Sequence, residues 1–196
     1  MARLTRAESQ ERTRRLLIES ATKLFLRDGF RTTSLDAIGD EAGFSRGAVY
    51  SNFSSKGEIG IAVIDELYES ALRTAVTAVG AESSSDPKAW IDALIYALRS
   101  SIGDPGWARL ELEVAAAAQH GEMRAATAKR YANLRAVCES YVVGLFTARN
   151  ATPPTDPQVL ALAIVSVFVG FGLQRASDSS LPSQAIGPVL RLLLGD

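Results

Sequence analysis

The sequence predicts an all-α protein of about nine helices, with a small N-terminal part and a larger C-terminal body. Apolar residues recur at spacings of three and four in nearly every segment, which is the periodicity of a helix with one buried face. Clusters of glycine, proline and serine separate these segments, and the alternating β-branched runs typical of strands are missing. With 196 residues, 47% of them hydrophobic, the chain can bury a sizeable core.

The first helix is predicted from near Ser9 to Asp28. Gly29 ends it, because glycine adopts a positive φ without steric cost. Its apolar stripe consists of Leu17, Ala21, Leu24 and Phe25. This stripe indicates a helix that packs one face against the elements that follow.

Two short helices joined by a glycine turn come next. The second helix is predicted from Ser34 to about Ala42, with Thr33 as its N-cap. Gly43 allows the tight turn, and Ser45 caps the third helix. Two helices of about two turns each, joined in this way, have the dimensions of a helix-turn-helix.

The rest of the chain predicts six more helices. Ser55 and Glu58 have the spacing of a capping box, which opens a fourth helix that continues to about Val79. Pro87 starts the fifth helix, since proline fits a first helical turn. The fifth to ninth helices are predicted over residues 87–101, 107–119, 122–149, 156–176 and 183–194.

Composition weighs against most enzyme chemistries. The chain has one cysteine, Cys138, and one histidine, His120, so zinc sites, disulfides and Ser-His-Asp or Cys-His catalysis lack the residues they need. Glu111 and Glu113 are two positions apart and therefore point to different helix faces. We predict no catalytic residue, no metal site and no cofactor.

Neither an export signal nor a membrane span is predicted. The N-terminus carries arginines but no apolar core of a signal peptide. The most apolar run, Val159 to Leu173, has 15 residues, whereas a membrane-spanning helix needs about 20. We therefore predict a cytoplasmic protein.

Charge is divided unevenly along the chain. Residues 1–56 hold ten Lys and Arg against seven Asp and Glu, whereas residues 57–196 hold eleven against fifteen. A basic N-terminal part on an acidic body is expected when only that part meets a polyanion, although a difference this small also arises by chance.

The face that the third helix is predicted to expose suits DNA recognition. Arg46, at the helix N-terminus, can donate two hydrogen bonds to guanine O6 and N7 in a major groove. Gly47 lets the backbone approach the groove wall, and Lys56 can donate to a phosphate. The candidate DNA-binding residues are Thr33, Ser34, Ser45, Arg46, Gly47, Tyr50, Ser51, Asn52 and Lys56. The alternative is a pair of capped helices whose arginine and tyrosine are incidental.

The same segment resembles the DNA-binding domain of the TetR family of bacterial transcriptional regulators. The family pattern is met by Thr33, Ile38, Ala42, Gly43, Ser45, Gly47, Tyr50, Asn52, Phe53 and Lys56, and the end of the first helix matches at Leu24, Phe25, Gly29 and Phe30. Gly39 stands where alanine is usual and should loosen the second helix by about 1 kcal/mol. Phe44 replaces a smaller aliphatic residue, and Asn52 fills a place more often held by histidine.

The resemblance implies a helix-turn-helix DNA-binding domain in residues 1–56 and a helical effector-binding and dimerisation domain in residues 57–196. It implies a small-molecule pocket in the body and a homodimer formed by the last two helices as a four-helix bundle. Scarce buried charge on the inward stripes predicts a small apolar or aromatic effector. The candidate ligand-binding residues are Leu67, Leu110, Val114, Cys138, Tyr141 and Phe168.

The helix over Val159–Leu173 separately supports a dimer. It is apolar nearly all round, so one face could pack in its own subunit and the other against a partner. The predicted interface residues are Val165, Phe168, Val169, Gly172 and Leu190. The competing interpretation is a wholly buried central helix of a monomer.

The favoured hypothesis is a ligand-responsive transcriptional repressor that binds double-stranded DNA at a near-palindromic operator as a homodimer. The fourth helix, which begins after Ser55, is expected to be the only covalent lever between the two parts. The alternatives are a ligand-independent DNA-organising protein and a helical enzyme, of which composition disfavours the enzyme.

Overall fold

The computed structural model describes residues 5–81, 87–102, 104–117 and 121–195. Within these ranges the chain folds into nine α-helices and one short 3-10 helix without any strand, which confirms the predicted all-α class. The helices are α1 (Arg6–Asp28), α2 (Leu35–Ala42), α3 (Arg46–Asn52), α4 (Lys56–Ala81), α5 (Pro87–Ile102), α6 (Pro105–Ala117), α7 (Gly121–Ala148), α8 (Pro157–Ser177) and α9 (Ile186–Leu194), with the 3-10 helix at Ser183–Ala185. The single histidine, His120, lies outside the described residues.

Helix α1 begins three residues earlier than its apolar stripe predicts. Thr5 and Glu8 form a capping box, in which the Glu8 amide donates to Thr5 Oγ1 at 3.2 Å and the Thr5 amide donates to Glu8 Oε2 at 2.7 Å. Every side chain from Thr5 to Arg12 is exposed, so apolar periodicity cannot detect this first part of the helix. Gly29 ends α1 at φ 98°, as predicted.

Ser34, and not Thr33, caps α2. The Ala37 amide donates to Ser34 Oγ at 3.0 Å, whereas the Thr33 hydroxyl donates to the Gly29 carbonyl at 2.8 Å. The predicted cap was therefore wrong by one residue. Ser45 caps α3 as predicted, since its hydroxyl accepts the Ala48 amide at 3.3 Å.

Gly39 lets α2 and α3 pack closely. A Cβ at this buried position would lie 3.0 Å from Val49 Cγ2 and 3.1 Å from the Phe44 carbonyl oxygen. Gly43, with φ 72°, makes the left-handed turn between the two helices. Gly39 therefore lowers the helix propensity of α2, as expected, but it permits a close contact that a larger residue would disturb.

The capping box before α4 forms with a shifted partner. The Glu58 amide donates to Ser55 Oγ at 3.1 Å, as the spacing predicts. The Glu58 carboxylate, however, accepts hydrogen bonds from the amide and the hydroxyl of Ser54, both at 2.8 Å. The start of α4 is thus held by two serines and one glutamate.

The chain divides into two compact units. Unit 1 comprises Met1–Glu66 and Arg109–Thr127, and unit 2 comprises Leu67–Ala108 and Ala128–Asp196. The boundary falls inside α4, α6 and α7, so three helices continue from one unit into the other. The expectation that α4 would be the only covalent lever was therefore wrong, because α6 and the start of α7 return to the N-terminal unit.

The core of unit 1 gathers the apolar faces of α1 to α4 with part of α6. Phe25 and Phe30 contact each other edge to face, with ring centroids 5.2 Å apart. Leu110 and Val114 of α6 are fully buried in this unit. These two predicted ligand-binding residues therefore lie in a different unit from Leu67, Cys138, Tyr141 and Phe168.

We expect Gly60→Ala to lower the free energy of unfolding by about 1–3 kcal/mol, because overpacking strains a filled core. The new Cβ would lie 2.7 Å from Phe30 Cε2 and 3.2 Å from Val114 Cγ2. Gly57→Ala is the matched control on α4, because its Cβ would meet Sδ of Met123, the far end of a flexible side chain. Urea unfolding measures both variants. Equal midpoints for the two would contradict the packing described for Gly60.

Candidate nucleic-acid interface

Helix α3 presents one face to solvent and one to the core. Val49 is fully buried, and its partners on the other side, Arg46, Gly47, Tyr50 and Ser51, are exposed. Tyr50 keeps 47% of its surface exposed to solvent. The four residues that sequence analysis places on the outer face are therefore brought together on one accessible surface of unit 1.

The Arg46 side chain lies across this face. Its Nε is 3.3 Å from Asp36 Oδ1 of α2, and its guanidinium carbon is 5.4 Å from the centroid of the Tyr50 ring. Contact with Tyr50, followed by the charge of Asp36, raises the pKa of Arg46. Both side chains of the ion pair are more than half exposed, so the pair contributes little to stability and can be exchanged for another partner.

Several predicted DNA-binding residues also have local structural roles. Ser34 and Ser45 are exposed N-caps, and the Ser51 hydroxyl donates to the Ala48 carbonyl at 2.9 Å. Asn52 is half-buried, and its side-chain Nδ2 donates to the same carbonyl at 2.8 Å. Thr33 is only 6% exposed, with its hydroxyl bonded to Gly29, so it offers almost no surface to a nucleic acid.

Arg14 of α1 holds the C-terminal end of α3, a role that the sequence analysis missed. Its Nη1 donates to the Asn52 carbonyl at 2.8 Å, and its guanidinium carbon is 4.1 Å from the centroid of the Phe53 ring. Glu58 lies 3.7 Å away and completes the arrangement. The sequence contained one weak signal for this role. Arg14 stands three residues before Leu17, which places it on the same face of α1.

The side chain of Lys56 is hydrogen-bonded within unit 1. Its ammonium group donates to the carbonyls of Arg31 and Thr33, both at 3.1 Å, and lies 4.9 Å from the centroid of the Phe30 ring. These contacts fasten the start of α4 to the connection between α1 and α2. A phosphate contact by Lys56 stays a prediction, and it would have to use the donor capacity left by two carbonyls.

We expect Lys56→Ala to lower the free energy of unfolding by about 1–3 kcal/mol, because it removes two hydrogen bonds donated by a charged group. The measurement is the urea midpoint, with Lys23→Ala, an exposed lysine of α1, as the control. An unchanged midpoint for Lys56→Ala would show that these bonds contribute nothing to stability. In that case Lys56 would be left with only the predicted phosphate contact.

Helix α6 holds the other end of α1. Arg109 Nη2 donates to the Leu26 carbonyl at 2.9 Å, and a Glu113 carboxylate oxygen accepts the Arg31 amide at 3.1 Å. A cation beside the last carbonyls of a helix is favourable, since those carbonyls have no partner within the helix. Neither residue was a candidate from the sequence, because each contact spans more than 80 positions.

In unit 2, the predicted interface residues separate into buried and accessible ones. Leu190 is fully buried, Val165 and Gly172 are buried, and Phe168 and Val169 are half-buried. The accessible apolar side chains of α8 and α9 are instead Val159, Leu162, Val189 and Leu192, of which Leu192 is 80% exposed. We call these four residues the α8–α9 apolar surface. Leu190, Val165 and Gly172 are buried within the chain itself.

Helix α8 has 21 residues, more than the apolar run found in the sequence. Its most apolar window has a mean hydropathy of 1.9 and is only 28% buried, so by length and composition it could cross a membrane. One such helix is weak evidence for a membrane span, because apolar helices that pack against protein pass the same test. What the structure does establish is apolar helix surface that unit 2 leaves uncovered.

The other predicted ligand-binding residues lie in unit 2. Cys138 and Tyr141 are half-buried beside its core cluster, and Phe168 packs near Tyr68, with ring centroids 6.2 Å apart. Burial raises the pKa of the Cys138 thiol to about 11, so the thiol stays protonated at neutral pH. Burial also raises the pKa of the Tyr141 phenol. Among the described residues, no group of three or more His, Cys, Asp or Glu side chains could hold a metal ion.

Comparison with known proteins bears on the N-terminal unit first. A profile of the family described as "Bacterial regulatory proteins, tetR family" matches residues 17–63. The transcriptional regulator TtgR of Pseudomonas putida is 42% identical over 69 residues, which cover 35% of this chain and 32% of TtgR. The regulator AcrR of Shigella flexneri is 36% identical over 103 residues, covering 52% of this chain and 47% of AcrR.

These alignments span between about a third and a half of the relatives' length. A solved transcriptional regulator from Rhodococcus sp. Rha1 shares the fold over more of the chain. It has a TM-score of 0.69 at 19% identity, covering 93% of this chain and 94% of that protein. At that identity the likeness concerns the helical fold alone.

Proposed function

We propose that this chain is a sequence-specific DNA-binding regulator of transcription, because a profile of the tetR family of bacterial regulatory proteins matches residues 17–63. The outer face of α3 carries the proposal. Arg46, Gly47, Tyr50 and Ser51 are exposed there together, and a bidentate donor, a backbone without a side chain and a phenol suit the major groove. The regulator is a cytoplasmic protein that works without a cofactor.

The proposed contacts divide into base reading and positioning. Arg46 leaves Asp36 and donates to the edge of a guanine base. Because the ion pair is exposed, breaking it costs little free energy. Tyr50, Ser34 and Ser45 donate to phosphates and orient α3 without reading sequence. Lys56 and Asn52 act chiefly within the fold of unit 1, where Lys56 fastens the start of α4 to the α1–α2 connection and Asn52 bonds to a carbonyl of its own helix.

We also propose that the regulator is a homodimer. The α8–α9 apolar surface supports this, because a second copy placed on it would cover side chains that one copy leaves in water. Two copies related by a two-fold axis would bring two α3 helices to half-sites about one helical turn apart. The operator is then a near-palindrome, and the regulator is most simply a repressor that excludes other proteins from it.

A small-molecule effector bound in unit 2 would adjust the DNA affinity. Ligand binding changes an equilibrium only if the ligand prefers one of its states, and α4, α6 and α7 all continue from unit 2 into unit 1. These three helices are the covalent routes by which such a preference reaches α3. The coupling of effector and operator is reciprocal, so operator DNA should weaken or strengthen effector binding by the same factor.

The proposal is tested by selecting bound sequences from a random double-stranded DNA pool at about 150 mM salt, where non-specific phosphate binding is weak. A recovered near-palindrome is the expected result. Recovery of no motif, with binding that disappears as salt rises, would instead favour a DNA-organising protein that contacts only phosphates. A motif with a single half-site would support sequence-specific reading and contradict the dimer.

A further inference from the structure

Helix α3 is short, and it ends without a glycine cap. It has seven residues, and an isolated helix of that length is not stable in water. Helices α1 and α2 end at glycines with positive φ, Gly29 and Gly43. The residue that ends α3, Phe53, is instead extended, with φ −140°. The last carbonyl groups of α3 therefore need hydrogen-bond partners from outside the helix.

Arg14 of α1 supplies such a partner. Its Nη1 donates at 2.8 Å to the carbonyl of Asn52, the last residue of α3. Its guanidinium carbon lies 4.1 Å from the centroid of the Phe53 ring, which is only 1% exposed. A cation is favourable at a helix C-terminus, because it pairs with free carbonyls and with the negative end of the helix dipole. One guanidinium thus fixes the last residue of α3 and the residue after it.

Arg14 also joins α3 to the start of α4. Glu58 Oε1 lies 3.7 Å from Arg14 Nη1, and Glu58 Oε2 accepts hydrogen bonds from the amide and the hydroxyl of Ser54. Ser54 directly follows Phe53, so the Glu58 carboxylate holds the connection between α3 and α4. We call Arg14, Asn52, Phe53 and Glu58 the Arg14 junction. It brings three helices of unit 1 together at the C-terminal end of α3.

We propose that Arg14 is a positioning residue for sequence reading, which sets the preference for operator over other DNA without contacting a base. This inference rests on the proposed function, to which it adds a residue that acts through α3. Base reading by Arg46 requires α3 to be formed and in place, whereas binding through phosphates alone carries no sequence information. Operator affinity falls in proportion to the fraction of molecules whose α3 is competent to bind.

The measured quantity is the ratio of the affinities for two DNA duplexes at about 150 mM salt. One duplex carries the sequence recovered by selection, and the other carries the same bases in scrambled order. We expect Arg14→Gln to lower this ratio about 10-fold, as for loss of a hydrogen bond from a charged donor. Arg14→Lys should lower it less, because lysine keeps the charge but has no planar group to stack on Phe53.

Two controls separate positioning from other effects of substitution. Arg15→Gln removes an exposed arginine of α1 that lies 3.6 Å from Glu19, and it should keep the ratio. Gly60→Ala strains the core of unit 1 against Phe30, away from the Arg14 junction, and should also keep the ratio while it lowers stability. A ratio lowered equally by Gly60→Ala and Arg14→Gln would overturn the proposal, since lost stability would then explain both.

A direct phosphate contact by Arg14 is the competing role, since its side chain is 33% exposed. Such a contact would weaken binding to both duplexes alike, and its loss would reduce the slope of log affinity against log salt by about one. Positioning predicts a lower ratio with an unchanged slope for the scrambled duplex. An unchanged ratio in Arg14→Gln, with or without a reduced slope, contradicts the proposal.

Circular dichroism at the assay temperature establishes that each variant folds. Should Arg14→Gln not fold, Arg14→Lys decides, and a ratio equal to that of the unsubstituted protein then refutes the positioning role. The failure of this inference is distinct from the failure of the proposed function. A recovered motif whose discrimination does not depend on Arg14 refutes the inference alone, whereas recovery of no motif by the unsubstituted protein refutes the proposed function and the inference with it.

Discussion

Arg46→Ala is expected to weaken binding to the selected operator by about 1–3 kcal/mol, or about 5- to 150-fold, and to relax the base preference at one position of each half-site. The reason is that a bidentate arginine both adds affinity for guanine and discriminates against other bases. The measurement is a titration of operator DNA and of single-base variants at fixed salt. The fold should be unaffected, since Arg46 is exposed and its ion pair with Asp36 contributes little.

Arg73→Ala is the matched control for this variant. Arg73 is also an exposed arginine that pairs with an acidic residue, Glu69, but it lies on α4 in unit 2. Its loss should leave operator discrimination unchanged. Asp36→Asn tests the exchange directly, because removing the carboxylate that holds Arg46 should tighten operator binding. Retained base discrimination in Arg46→Ala would refute the assignment of Arg46 as the base-reading residue.

Leu192→Glu should produce the largest loss of DNA affinity, without touching α3. Leu192 is the most exposed residue of the α8–α9 apolar surface, and a carboxylate there would have to be desolvated on association. Light scattering should change from twice the 20.9 kDa chain mass to the mass of one chain. Operator affinity should fall by more than about 100-fold, because a monomer loses the effective concentration of the second half-site.

Leu112→Glu controls for the new charge. Leu112 is 53% exposed on α6 and belongs to unit 1, whereas the α8–α9 apolar surface belongs to unit 2. It should leave both mass and operator affinity as they are in the unsubstituted protein. Light scattering that finds a single chain mass for the unsubstituted protein at micromolar concentration would remove the dimer from the proposal, and Leu192→Glu would then have no effect on DNA binding.

The sequence predicted helix α3 itself but not the arginine contacts that hold α3 and α1 in place. Gly43 and Ser45 identify the turn and the start of α3 through local conformational and hydrogen-bonding preferences. Arg14 and Arg109, by contrast, donate to backbone carbonyls 38 and 83 positions away. No local preference distinguishes them from arginines that remain in solvent, such as Arg15.

Predictions about the ligand-binding and dimer-interface residues depended most on how the helices pack in the tertiary structure. The apolar character of α8 was evident, but it could not separate the buried Val165 from the exposed Leu162, because α8 is apolar on nearly every face. Leu110 and Val114 were assigned to a pocket for their inward stripes, yet they pack in unit 1. Helical periodicity identifies an inward face without identifying the neighbour that it faces.

The sequence by itself determined the helical class, the helix-turn-helix and the outer face of α3, because periodicity, capping and turn chemistry act over a few neighbouring residues. Only the tertiary structure decided that part of α6 and the start of α7 join the N-terminal unit, that Lys56 bonds to two carbonyls, and that Arg130 is buried beside aromatic rings. Those outcomes depend on which distant helices pack together. The packing of two helices depends on the shape and burial of their whole faces, so it cannot be predicted from single residues.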